Sequence, residues 1–292
     1  MRQFTSGITR VLSRGVTKIR LPRILTLIYL SNLAIALLSI APLYVISRRL
    51  VSHSLVADSI MSGFDPIFIG DLISTNKDYL PALGIMIAVY AILYLMLWIF
   101  INGGLIHIYT TGRGRAISAF LARGAYFFAR LGLLFLISLA CYGLFVMLPY
   151  FAMSKTVSMV TRSIEHPFWI VGLGVFTKVV AIALFWFLNM IFDYAKIILV
   201  MRDDAKVLRT IRDALLFVLR NPGSTFSLYV ALSMFSIVAY ILFYSISASL
   251  PQTAIWVIFI AFIIQQIYIL LKITIRAFFL AAEHELYSLK SI

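Results

Sequence analysis

Six long apolar runs, at 24–46, 80–106, 131–151, 168–192, 224–248 and 254–275, constrain this chain more than any other feature. A bilayer core about 30 Å thick is crossed by roughly 20 apolar residues in a helix, the conformation that satisfies every backbone N–H and C=O internally. Each run reaches that length. A barrel strand would be about 10 residues long with alternating polarity, a pattern none of the six shows. The composition agrees, since 62% of the residues are hydrophobic and only 12% charged, against about half apolar in an ordinary soluble domain. The expected fold is all-α: one six-helix transmembrane domain over residues 1–292, with spans paired as three hairpins.

Orientation follows from the basic residues, which favour the cytoplasmic ends of spans. Nineteen of the 25 Lys and Arg fall on one side: six in 1–23, four in 107–130, six in 193–223, and Lys272, Arg276 and Lys290 near the end. The other side carries Arg48, Arg49, Lys77, Lys155 and Arg162, balanced by Asp58, Asp65, Asp71, Asp78 and Glu165. Both termini are therefore expected in the cytoplasm. The net charge of +14 sits on short segments between spans rather than on a separate soluble domain or tail. Anionic phospholipid headgroups are the expected partner and nucleic acid is not, because each Lys or Arg beside an anionic leaflet contributes on the order of 1 kcal/mol.

The basic segments carry a weak internal repeat. "VLSRGVTKI" (11–19), "FLARGAYFF" (120–128) and "TIRDALLF" (210–217) each precede a pair of spans. In the first, Phe4, Ile8, Val11, Leu12, Val16 and Ile19 recur at helical spacing, with Arg10, Arg14 and Lys18 in an i, i+4 row on another face. In the third, Leu208, Ile211, Leu215 and Val218 form the apolar stripe, away from Lys206, Arg209, Arg212 and Arg220. Such helices lie in the headgroup plane with the apolar side down. Three interfacial amphipathic helices are expected, one before each hairpin, with Arg10, Arg14, Lys18, Arg123, Arg130, Lys206, Arg209, Arg212 and Arg220 as headgroup contacts. "LPR" (21–23) and "RNPG" (220–223) are the breaks that release the following spans. The acid-free first 23 residues also fit a mitochondrial presequence, but the same element recurs inside the chain, where no cleavable signal could be, which opposes that reading.

"NGGLIHIY" (102–109), "FLARGAYFFARL" (120–131) and "DYAKIILVMRDDAKVLRTIRDALLFVL" (193–219) resemble poorly characterised bacterial six-helix integral membrane protein families. These include the membrane domain found with some glycerophosphodiester phosphodiesterases. The resemblance implies a bacterial inner-membrane protein and carries over no catalytic residue, because the phosphodiesterase domain is absent from this sequence.

Signatures of catalysis are missing. "HELYS" (284–288) begins like a zinc-protease motif but has Ser288 where the second histidine belongs, and is expected to be a tail. Cys141 is the single cysteine, and His53, His107, His166 and His284 fall on opposite sides of the bilayer, so no metal or cofactor is expected. Neither "GRGR" (112–115) nor "GLG" (172–174) has the ending of a phosphate loop. Gly103 and Gly104 read as close helix packing or a helix end. Asp193 is expected at the cytoplasmic interface, with Lys196 as a local partner.

A polar set at depth remains: Lys178, Gln265, Gln266 and Asn32 could share a level near the midplane. An intramembrane lysine usually faces the bundle interior or a watery cavity. Two functional readings result. The favoured one is a non-catalytic accessory, scaffold or membrane subunit of a larger complex, with a protein partner and anionic-lipid contacts. The alternative is a transporter or permease-like protein handling a lipid or a small anion.

Overall fold

The computed structural model describes residues 11–18, 21–51, 80–112, 117–160, 167–203, 206–250 and 255–290. Every regular element among these is helical. Residues 11–18 form α1, followed by α2 (Pro22–Val51), α3 (Leu80–Thr111), α4 (Ile117–Tyr142), α5 (Leu148–Val160), α6 (Pro167–Met201), α7 (Val207–Arg220), α8 (Pro222–Ala248) and α9 (Ile255–Lys290). A π-helical stretch, Gly143–Met147, joins α4 to α5 without interrupting the rod. Among the described residues six helical stretches are long and apolar enough to cross a membrane.

The breaks fall where the chemistry requires them. Pro22 and Pro222 open α2 and α8, at the helix position where a missing N–H costs nothing. Only Asn221 separates α7 from α8; its φ of −128° and ψ of 46° turn the chain. No proline divides 120 from 131, and there α4 runs unbroken from Ile117. The second interfacial helix expected from "FLARGAYFF" is therefore the first part of the third spanning rod. The last span is likewise longer than its apolar run, because α9 continues to Lys290.

The chain divides into two compact units. Unit one comprises Met1–Lys18, Asn102–Ala231 and Phe279–Ile292, and unit two Ile19–Ile101 and Leu232–Phe278. Within unit two the spans meet through a few contacts. Phe243 and Tyr268 stack with ring centres 4.2 Å apart, and Tyr90 donates a hydrogen bond of 2.7 Å to the Leu38 carbonyl. Ile85, Ile87, Leu37, Ile241 and Phe259 are exposed, the state of side chains that face acyl chains in a bilayer.

Unit one holds the dense packing. Gly103 and Gly104 let α3 approach α4 closely: a Cβ on Gly104 would lie 2.5 Å from the Phe120 ring and 2.7 Å from its carbonyl oxygen. The tight-packing reading of this pair is correct. Aromatic contacts then link the remaining helices, Tyr142 to Phe185 at 5.3 Å, Tyr194 to Phe217 at 5.0 Å, Phe217 to Tyr287 at 4.9 Å and Tyr229 to Phe279 at 5.3 Å.

Candidate functional site

Unit one buries an unusual share of polar chemistry for a chain this apolar. Along α6, residues from Met190 to Val200 are buried apart from Lys196, which is half-buried. Asp193 is 0% exposed. Its carboxylate is enclosed by the side chains of unit one. The expected partner is present: Lys196 Nζ donates to Asp193 Oδ1 at 2.7 Å. One turn earlier, the Asn189 amide donates to Asp193 Oδ2 at 3.3 Å and to the Tyr229 hydroxyl, while its carbonyl oxygen accepts from Tyr142 at 3.2 Å. Three helices thus share one connected set of hydrogen bonds, Tyr142 from α4, Asn189, Asp193 and Lys196 from α6, and Tyr229 from α8. Taking a carboxylate out of water is tolerated only with a counter-charge and filled lone pairs, and Asp193 has both.

A second cluster ties the two ends of the chain together. Lys18 Nζ lies 2.5 Å from a Glu285 carboxylate oxygen, donates to the Tyr109 carbonyl at 3.2 Å, and lies 3.2 Å from His284 Nδ1. An ammonium group only donates, so Nδ1 accepts, and the proton of a neutral ring is on Nε2. That nitrogen is 3.3 Å from Thr110 Oγ1, whose own proton goes to the Ile106 carbonyl. The imidazole therefore donates to Thr110 and is not a base for it. Glu283, His284 and Glu285 are all buried, with Ala281, Ala282, Leu286 and Tyr287 around them. "HELYS" is core, not tail.

Three further ion pairs lie in unit one. Arg202 binds Asp213 at 2.8 Å, and Asp203 lies between Arg130 at 3.2 Å and Arg123 at 3.8 Å. Lys290 donates to Ser224 Oγ at 2.7 Å and to the Asn221 side chain at 3.2 Å. Among the described residues no group of three or more His, Cys, Asp and Glu side chains is arranged to hold a metal ion.

The expected headgroup residues separate into two kinds. Arg14, Lys206, Arg209, Arg212 and Arg220 are exposed. Arg123 and Arg130 are partly exposed but engaged with Asp203. Lys18 was expected among the headgroup contacts and is instead drawn inward by Glu285. Arg10 lies outside the described residues. The apolar face of α7 also differs from the expected stripe. Thr210, Ala214, Phe217 and Val218 are buried, whereas Leu208 and Leu219 are exposed beside the arginines.

Of the mid-membrane polar set, Asn32, Gln265 and Gln266 belong to unit two and Lys178 to unit one. In unit two, Asn32 donates to the Ile28 carbonyl of its own helix at 2.8 Å, Gln266 accepts from the Tyr29 hydroxyl at 2.9 Å, and Gln265 is exposed. In unit one Lys178 is exposed while Thr177 beside it is buried. The residues that form the dense polar core, Asn189, Asp193, Glu283, His284 and Glu285, had one signal in the sequence. They are polar groups inside or directly after long apolar runs, and such groups need partners.

No family model, curated protein or solved structure matches the chain.

Proposed function

We propose that this protein is a non-catalytic membrane subunit or scaffold that holds α7 against an anionic cytoplasmic leaflet and docks a protein partner. The observation that carries the reading is the division of labour on α7. One side, Thr210, Ala214, Phe217 and Val218, is buried in unit one, while Leu208, Leu219, Arg209, Arg212 and Arg220 are exposed together. A helix that is fixed on one side and offers leucine beside arginine on the other suits the boundary between acyl chains and phosphates. On this reading the spans form three hairpins, α1 and α7 are the interfacial helices, and both termini are cytoplasmic. The resemblance to bacterial six-helix families accords with an inner-membrane location.

The same observations weigh against a transport role. Asp193 and Glu285 of the polar core are engaged with cations of the same chain, and Lys178, the deep cation that a transport reading would use, is exposed. Transporters more often build a paired ionisable site at the midplane from broken helices.

The test is purification of the tagged protein from solubilised membranes, followed by mass spectrometry of proteins and lipids. A stoichiometric protein partner together with enriched anionic phospholipid supports the proposal. A protein that purifies alone with one tightly held small anion or lipid, lost on Lys178→Met, overturns it.

A further inference from the structure

One cluster of unit one belongs to neither the buried core nor α7. Arg123, Tyr126 and Arg130 stand on one face of α4, at i, i+3 and i+7, and both guanidinium groups lie against the same ring, 5.4 and 5.5 Å from its centre. Opposite them is Asp203, on the turn after α6. Its Oδ1 faces Arg130 at 3.2 Å and its Oδ2 faces Arg123 at 3.8 Å, one oxygen to each arginine. This is how a bridging oxyanion sits between two guanidinium forks. Here the bridging oxyanion is the chain's own carboxylate.

Charge and depth point to a second occupant. Two cations face one carboxylate, leaving the cluster net positive, and all three groups are partly exposed, at 43%, 39% and 46% of their side-chain surface. Arg130 adjoins the third apolar run, and Arg123 lies about 10 Å farther along the helix axis at 1.5 Å per residue. That interval covers the headgroup layer, which is several ångströms deep on each side of the hydrocarbon core. A tetrahedral phosphate offers more oxygens than a carboxylate and satisfies both arginines at once.

We propose that Arg123, Tyr126 and Arg130 form a binding site for an anionic phosphate group, and that Asp203 is its built-in competitor, displaced when the phosphate enters. The proposal rests on the reading that this side of the protein meets an anionic leaflet. Arg130 also donates to the main-chain carbonyl of Asp203, a contact that does not depend on the carboxylate. That contact can hold the turn when the side chain is released, so Asp203→Asn should fold, as its melting temperature will show.

The experiment uses the full chain in nanodiscs of phosphatidylcholine with a minority of phosphatidylglycerol. Retained phosphatidylglycerol is counted by native mass spectrometry, and inorganic phosphate is titrated calorimetrically in detergent. Asp203→Asn should raise retention about fivefold, the factor expected from removing one opposing charge beside an anionic lipid. The gain should vanish when Arg123→Gln and Arg130→Gln are added. Tighter binding of inorganic phosphate to Asp203→Asn identifies a general phosphate site, whereas enrichment of the lipid alone identifies a headgroup site; either supports the proposal. Unchanged retention and unchanged phosphate binding in Asp203→Asn, at an unaltered melting temperature, overturn it, as does a gain that survives loss of both arginines. Arg209→Gln, Arg212→Gln and Arg220→Gln together separate this site from the broader reading. If they reduce lipid retention while Asp203→Asn does nothing, only the site fails.

Discussion

Lys18 and Glu285 meet at 2.5 Å, joining the helix that precedes the first span to the end of the last helix. Their side chains are only 27% and 11% exposed, so the pair lies between a surface ion pair, worth little, and a fully buried one, which is costly to break. Glu285→Gln should lower stability by roughly 1–3 kcal/mol on that scale, read as the thermal unfolding midpoint of the purified protein in detergent. Lys18→Met combined with Glu285→Leu should recover much of the loss, because no charge is then left without its partner. A double variant as unstable as the sum of the single ones would show that the two residues are not coupled. High salt should change the wild-type midpoint little, since screening acts mainly on exposed pairs.

Gly104 supplies a packing test with an internal control. A methyl group there would lie 2.5 Å from the Phe120 ring and 2.7 Å from the Phe120 carbonyl, whereas at Gly84 nothing lies within 4 Å. Gly104→Ala should cost about 1–3 kcal/mol, the usual penalty of overpacking, since the carbonyl cannot rotate away. Gly84→Ala should be neutral or stabilising, because alanine is the better helix former by about 1 kcal/mol. Gly103→Ala should fall between them, as its nearest neighbour is a flexible Leu131 methyl at 3.1 Å. Equal stabilities for the variants at 84 and 104 would contradict the close approach of α3 and α4.

Parts of this architecture were legible in the residues and parts were not, for physical reasons. The six spans follow from apolar length alone, and Pro22 and Pro222 mark the starts of α2 and α8 because proline punctuates locally. The Asp193–Lys196 pair was legible because one turn of helix brings the two together. Lys18 is different: in its own helix it belongs to an evenly spaced cationic row, and nothing local distinguishes it from Arg14. Its counter-ion comes from the other end of the chain. The stretch 281–287 misled for a related reason, since Glu283, His284 and Glu285 read as solvated until tertiary packing buries them. On α7 the buried side follows neighbouring helices rather than the amphipathic stripe, so Thr210 is inside and Leu208 outside.

Topology is open to direct labelling. In a Cys141→Ser background, Ser158→Cys should react with an impermeant thiol reagent in intact cells, and Arg212→Cys should react only after the membrane is permeabilised. Both positions are exposed, so accessibility does not limit either reaction. The expectation comes from the excess of Lys and Arg on the α7 side. The reverse labelling would invert the chain and place the arginines of α7 on the outer face, away from a cytoplasmic leaflet.

Lys178 is exposed on α6, and a lysine within a span reaches the interface by extending its side chain. Lys178→Met should therefore be neutral or slightly stabilising, and should leave the set of co-purifying proteins and lipids unchanged. Loss of a bound anion on this substitution would favour the transport reading over the scaffold.

Asp193 provides the most demanding test, because its carboxylate is fully buried and the groups around it are interdependent. Lys196 donates to one oxygen at 2.7 Å and Asn189 to the other at 3.3 Å, while Asn189 also joins Tyr142 and Tyr229. Removing one member of a buried pair costs about 3–5 kcal/mol, whereas replacing both by apolar groups of similar volume is often neutral or stabilising. Asp193→Ala should therefore destabilise strongly, and so should Lys196→Met alone, since it leaves the carboxylate without its counter-charge. Asp193→Leu with Lys196→Met should be milder than either single change. Asn189→Leu should cost about 1–3 kcal/mol through the polar groups it leaves unbonded. Limited proteolysis of the purified variants, ranked against their unfolding midpoints, measures all four. A harmless Lys196→Met would mean that Asp193 does not rely on the ammonium for its charge balance, and the paired core of α6 would lose its physical basis.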